Sequence, residues 1–216
     1  VADRILAALA APLQLNGHEV TVSASIGVAI GANEVESADD LLRDADTAMY
    51  QAKAGGKSQW RLFDLSMRKQ AVERLALEED LKKSIERNQL CVHYQPIVQL
   101  PSQEIRGVEA LLRWVHPVRG VVSPGEFIPI AEEIGFIVEM GDWVLEESCR
   151  QMRQWHRQYP QYENLFVSVN VSPRQFADQT LVTRVKECLD RTGLPGSLLK
   201  LEITESAIMS DPKTAS

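Results

Sequence analysis

The sequence predicts an α/β fold, and three observations carry that prediction. Two strand-like runs, 91–99 and 104–112, are separated only by Leu100, Pro101, Ser102 and Gln103. A parallel pair needs a crossover of about a dozen residues, so these two strands are expected to be antiparallel. After them the pattern alternates: 124–133 and 141–157 read as helices, 165–171 as a strand, 173–190 as a helix and 198–204 as a strand. That is the rhythm of a βα barrel, whose chemistry gathers at the C-terminal ends of its strands. Composition agrees, since 216 residues at 44% hydrophobic and 25% charged suit a globular chain of one or two domains.

Residues 1–63 precede this pattern and read as a separate α/β piece. Residues 3–10 are rich in alanine and leucine, the end of a helix stopped near Pro12. Asn16-Gly17 is a turn signal for a hairpin between Leu13-Gln14-Leu15 and the next strand. Apolar residues at even positions from Val20 to Ile30 predict one strand with a covered face. Ser37 then caps a helix, with Asp40 in the capping-box position. Leu41, Leu42, Ala45, Ala48, Met49 and Ala52 form its expected buried stripe, and Gly55-Gly56 ends it. A short strand over 59–63 closes the piece.

Residues 64–90 read as a connecting helix. Val72, Leu75, Leu81 and Ile85 recur at helical spacing, and Glu78/Lys82 and Glu79/Lys83 are favourably ordered i,i+4 pairs. Packing against the next domain and transmission of a signal between two domains both fit such a helix.

Residues 91–216 hold the chemistry-bearing positions. Glu109 ends the strand-like run 104–108 and is followed at once by Ala110, Leu111 and Leu112, so its carboxylate falls in a segment expected to be buried. A buried carboxylate costs several kcal/mol unless a cation or hydrogen-bond donors compensate it. An ion pair with Arg106 or Arg113 would do so; so would a metal ion, with Arg113 left to meet a phosphate. Asn170 ends the strand 165–171, and Glu202 lies in the same way within 198–204, with Glu205 just after it. Two carboxylates and an amide oxygen at strand ends form a hard-oxygen set suited to Mg²⁺ or Mn²⁺ rather than zinc. Gln95 reads either as a hydrogen-bonded strand-end amide or as a ligand contact. His116, before Pro117, reads as a turn or packing residue, His93 and His156 carry no partner pattern, and Trp143 and Trp155 read as core.

Charge and cysteine content narrow the classes. A formal net charge of −7 argues against broad electrostatic binding to nucleic acid, and an anionic ligand would need local help from a metal or arginines. Cys91, Cys149 and Cys188 show no metal-ligand spacing and suit a reducing, cytoplasmic setting. No apolar run is long enough to span a membrane and no signal peptide is visible, so no membrane contact is expected from this segment, although a parent chain could be tethered upstream. Val1 and Ser216 read as cut rather than natural ends.

Five ordered motifs carry a family resemblance. Tyr94-Gln95-Pro96-Ile97, Glu109-Ala110-Leu111-Leu112-Arg113-Trp114, Pro124-Gly125-Glu126-Phe127-Ile128-Pro129, Ser168-Val169-Asn170-Val171-Ser172-Pro173 and Leu201-Glu202-Ile203-Thr204-Glu205-Ser206 resemble the EAL family, whose active members are phosphodiesterases that cleave cyclic di-GMP to linear pGpG. The resemblance covers residues 91–209 and implies a modified TIM barrel with an antiparallel first strand, incomplete here. It implies Glu109, Asn170 and Glu202 as ligands of Mg²⁺ or Mn²⁺, Gln95 near the substrate and Arg113 on a phosphate. It gives Glu205 the part of holding a metal-site loop. The paired aspartates, the lysine that orients the attacking water and the late glutamate of active members follow the last of these motifs. The 216 residues alone are therefore expected to be inactive. The competing expectation is a degenerate EAL domain that senses cyclic di-GMP, or docks a protein, without catalysis.

Upstream, Ser25-Ile26-Gly27-Val28-Ala29, the run from Asp44 to Lys53 and Gly56-Lys57 are similar to the C-terminal part of a GGDEF domain, a family that condenses two GTP molecules into cyclic di-GMP. The resemblance puts Lys53 and Lys57 where active members contact the triphosphate; by themselves they read as solvated lysines at a helix C-terminus. The whole is then a tandem protein, a homodimer in its parent form: 1–63 the remnant of a GGDEF domain, 64–90 the connecting helix and 91–216 the first half of an EAL domain.

Overall fold

The computed structural model describes residues 1–15, 18–31 and 37–203. Two compact units divide between Leu77 and Glu78.

In the first unit, helix α1 (Ala2–Leu9) leads to β1 (Leu13–Leu15), paired antiparallel with β2 (His18–Val20) in the register Leu13↔Val20. This is the expected hairpin; Asn16 and Gly17 themselves lie outside the described residues. The expected single strand from Val20 to Ile30 is instead two. β2 belongs to the hairpin, while β3 (Ile26–Val28) pairs in parallel with β4 (Trp60–Leu62). Val20, Val22 and Ile30 of the expected covered face are exposed, so the apolar alternation here does not mark one covered strand.

Helix α2 (Ala38–Ala54) is the crossover of this β3–α2–β4 unit. Its cap forms as expected: the Asp40 amide donates to Ser37 Oγ at 3.1 Å, and the Ser37 hydroxyl donates to the Asp40 carboxylate at 2.8 Å. Its buried face runs through Asp44, Ala48 and Ala52, and Leu42 is 69% exposed, a correction to the expected stripe. The stripe includes Asp44 because Arg68 holds its carboxylate with two hydrogen bonds of 2.8 and 2.7 Å. Gly27 is what lets β3 approach: a Cβ there would stand 1.8 Å from the Ala45 carbonyl oxygen. After the cap at Gly55, Gly56, Lys57 and Ser58 all adopt positive φ.

Helix α3 (Leu65–Lys82) contains the boundary between the units and ends eight residues short of the expected 64–90. Leu77 and Leu81 are buried, while Val72 and Leu75 of the expected stripe are exposed.

The second unit is built on an open sheet. β5 (Leu90–Gln99) and β6 (Glu104–His116) form the expected antiparallel pair, and β7 (Gly120–Val122), which the sequence reading missed, folds back on the last residues of β6. Helices α4 (Pro124–Ile134) and α5 (Ile137–Gln158) follow, then β8 (Phe166–Val171), parallel to β6. The expected helix over 173–190 is two, α6 (Pro173–Phe176) and α7 (Leu181–Thr192). Between them the Asp178 carboxylate takes the Thr180 amide at 2.9 Å, a local bond that competes with helix continuation. β9 (Leu199–Ile203) completes the order β5-β6-β8-β9, and β5 and β9 are unjoined among the described residues. This is an incomplete βα barrel with an antiparallel first strand.

Alternation then sorts the side chains. Val108, Ala110, Val167 and Val169 face outward against Val144, Leu145, Cys149 and Met152 of α5 and Cys188 of α7. Full burial of such a side chain contributes about 1.5–3 kcal/mol. Cysteines far apart in sequence thus meet: Cys149 and Cys188 share this core, and their contact together with burial raises the Cys149 thiol far above its ordinary pKa. Trp143 and Trp155 pack against the same cluster, as expected. No helix among the described residues is long and apolar enough to cross a membrane.

Candidate active site

The other face of the sheet carries the polar residues. Gln95 stands opposite Glu109 in the β5–β6 register, Glu109 opposite Ser168 in β6–β8, and Asn170 opposite Glu202 in β8–β9. Four of the positions singled out from sequence therefore share one surface across four strands. Asn170 Nδ2 donates to Glu109 Oε1 at 2.8 Å, across 61 residues of chain. Glu202 accepts a hydrogen bond from Ser168 Oγ.

The ion-pair reading of Glu109 does not hold. Arg106 turns to Gln99 and Glu104, at 2.6 and 2.9 Å, and Arg113 Nη1 donates to the Leu112 carbonyl at 2.9 Å. Glu109 is half-buried and its compensation is an amide N–H. Arg113 is left at the edge of a cleft of about 370 Å³, whose wall includes Leu111, Pro124, Ile128, Glu132 and Asn170. A guanidinium beside an apolar wall is suited to an anion with an organic body.

Two residues that sequence reasoning passed over shape this face. Ser168 is fully buried and holds Glu202; its place two residues before Asn170 on a strand was the available signal. Phe166 lies across Gly107, where a Cβ would come within 2.6 Å of the ring, and Lys200 Nζ sits 3.4 Å from the ring centroid. These form a layer beneath the carboxylates, one step toward the N-terminal ends of the strands.

The turn behind Asn170 is fixed by a reciprocal cap. The Gln175 amide donates to Ser172 Oγ at 3.2 Å, and the Ser172 amide donates to Gln175 Oε1 at 3.1 Å. Gln175 is 5% exposed because it passes over Gly141, where a Cβ would meet its Nε2 at 1.9 Å. Gly141→Ala is expected to cost about 1–3 kcal/mol by displacing Gln175, read as a lower thermal midpoint; an unchanged midpoint would contradict this account of the cap.

Donor chemistry fits a hard divalent cation at Glu109, Asn170 and Glu202, with one condition. Asn170 presents its amide nitrogen to Glu109, so it must turn over to present Oδ1 to a metal. Three or more His, Cys, Asp and Glu side chains do not cluster among the described residues, so a protein-only acidic cage is not formed here.

The remaining positions fall elsewhere. Glu205 lies outside the described residues. Lys53 and Lys57 are exposed in the first unit, at the last turn of α2 and just beyond it. His116 is no base: Nδ1 accepts the Val118 and Arg119 amides at 3.2 and 3.1 Å, and Nε2 faces Asp80 at 3.3 Å. Those bonds assign the ring proton to Nε2 and make His116 a turn anchor.

Comparison with known proteins bears on this arrangement. Residues 78–216 match the family model described as EAL domain, and residues 1–59 match diguanylate cyclase, GGDEF domain. The chain is 43% identical over 215 residues to the bifunctional diguanylate cyclase/cyclic di-GMP phosphodiesterase MucR of Pseudomonas aeruginosa, covering 98% of the chain and 30% of that protein. It is 39% identical over 215 residues to the cyclic di-GMP phosphodiesterase PdeR of Escherichia coli, covering 100% of the chain and 32% of that protein. Among solved structures, a PaMucR phosphodiesterase in complex with c-di-GMP superposes with a TM-score of 0.62 at 46% identity, over 65% of this chain and 56% of that one. The chain thus spans about a third of the length of these two curated relatives.

Proposed function

Because the chain belongs to the EAL domain family, with a GGDEF match before it, we propose that the protein it comes from is a divalent-metal-dependent phosphodiesterase that hydrolyses cyclic di-GMP to linear pGpG. The observation that carries this reading is the convergence of Glu109, Asn170 and Glu202 on one sheet face, with Arg113 at the rim of the adjoining cleft. Mg²⁺ or Mn²⁺ held there would supply a Lewis acid for the phosphodiester and lower the pKa of bound water.

The chain's own residues do the rest. Glu109 and Glu202 provide fixed negative charge, Ser168 orients Glu202, and Asn170 serves as an amide ligand once turned. Arg113 draws the phosphate into a chain whose formal charge of −7 would otherwise repel it. The apolar wall at Leu111, Pro124 and Ile128 packs the nucleoside part. Glu205, outside the described residues, is given the part of supporting this site, and Gln95 is given the substrate side of Glu109. Lys53 and Lys57 are assigned to solvent.

The deciding experiment incubates the complete protein with cyclic di-GMP and Mn²⁺ or Mg²⁺, with and without a chelator. Metal-dependent release of pGpG is the expected result. Tight binding of cyclic di-GMP with no cleavage would replace this reading with the sensor.

A further inference from the structure

The C-terminal half of α5 and the end of α7 enclose a groove of about 770 Å³ that the site above does not use. Its lining includes Glu146, Arg150, Arg153, Gln154, Arg157 and Arg191. Both helices finish just before the strands that follow them begin, so this groove lies toward the N-terminal ends of β8 and β9. Asn170 and Glu202 lie toward the opposite ends of those strands, and Glu109 lies in the middle of β6.

Four guanidinium groups against one carboxylate line this groove, in a chain of net charge −7. Arg150, Arg153 and Arg157 fall at i, i+3 and i+7 and so share the solvent face of α5. Arg150 is held by Glu147, with a shortest contact of 2.7 Å, and Arg191 by Glu146 at 2.6 Å, so two of the four heads are already oriented. Arg153 is different: its Nε is buried and bonds nothing among the described residues. A buried N–H nearly always has a partner. Compensation of helix dipoles explains arginines near helix ends. It does not explain why two ends converge on one concavity lined by four arginines.

The lining also limits the ligand. Every side chain in it is polar, Gln158 and Thr192 included. There is no aromatic or aliphatic anchor of the kind protein interfaces bury at their centres, and no ring on which a base would stack. Recognition here rests on charge and fork geometry, and arginine forks match the oxygens of phosphate. We propose that this groove binds a di- or triphosphate anion, with Arg153 and Arg157 as its principal donors. Inorganic and nucleotide phosphates share that chemistry.

The test is calorimetric titration of the 216-residue chain with pyrophosphate and, separately, with adenosine triphosphate, in chelator at constant ionic strength. Both are expected to bind. Arg153→Gln with Arg157→Gln should weaken both by at least about tenfold, the scale of one charge-assisted hydrogen bond, without moving the ligand-free melting temperature. The same pair changed to Lys should recover only part of the loss, because it restores charge without the fork. Arg157→Gln alone, at an exposed position, gives the same readout with less risk to folding. Unchanged affinity in these variants, or no binding by pyrophosphate, would overturn the proposal. So would binding by the nucleotide alone, or tighter binding of a glutamate-rich peptide. None of these readouts involves cyclic di-GMP, so failure here leaves the phosphodiesterase reading where it stands.

Discussion

Glu109→Gln in the complete protein is expected to lower cyclic di-GMP hydrolysis by far more than the roughly 10–100-fold typical of outer partners at a metal site. The substitution keeps size and shape, and the new amide oxygen still accepts the Asn170 N–H that Glu109 accepts at 2.8 Å. Folding should therefore be preserved, which a melting curve verifies, and the loss isolates the negative charge. Divalent-ion affinity should fall in parallel, measured by calorimetry on the same variant. Activity within a few-fold of the parent would remove Glu109 from the chemistry and with it the proposed metal centre.

Trp114→Ala is expected to be the most damaging single change to the second unit, at about 3–5 kcal/mol. Trp114 is fully buried. Its ring meets His116 edge-on at 5.6 Å and Phe127 at 5.8 Å, and Nε1 donates to Gln89 Oε1 at 3.2 Å. One side chain thus joins the end of β6, the segment before β5 and helix α4, directly beside Arg113. Urea denaturation measures the loss, and Trp114→Phe should recover part of it. A cost below about 1 kcal/mol would mean the site can collapse around the cavity.

The sheet and its polar face were largely legible in the sequence, for a local reason. The four-residue connection decided the antiparallel pair, and Asn170 and Glu202 each stood near the end of a β-rich run, whereas Glu109, expected at a strand end too, lies mid-strand because β6 runs on to His116. What sequence could not supply was neighbourhood. It offered arginines for Glu109, but the fold gave it an amide from a strand 61 residues away. It missed Ser168 as the partner of Glu202 because a serine in a strand looks unremarkable until its opposite is known. It began a helix at Gly141, a residue more often seen at helix ends. In the fold α4 stops at Gly135, with φ +82°, α5 starts at Ile137, and Gly141 is interior because Gln175 needs its space. Leu42 was placed in a buried stripe because apolar character cannot reveal that a paired aspartate occupies the covered position instead. Glu205 lies outside the described residues, and the parts given to Gln95, Arg113, Lys53 and Lys57 rest on their placement.

The ladder of pairings in the open sheet has a consequence for how the chain assembles. β5 and β6 meet across four intervening residues, whereas β6 reaches β8 only after the 49 residues between His116 and Phe166. Loop closure alone makes the second event costlier by about 2 kcal/mol. Hairpin formation takes microseconds, while long-range parallel pairing is slow. The β5–β6 hairpin should therefore appear first and act as the template on which β8 and then β9 are added. Glu109 is in place early on that route, and Asn170 and Glu202 arrive with the later strands, so the polar face is completed only at the end of folding.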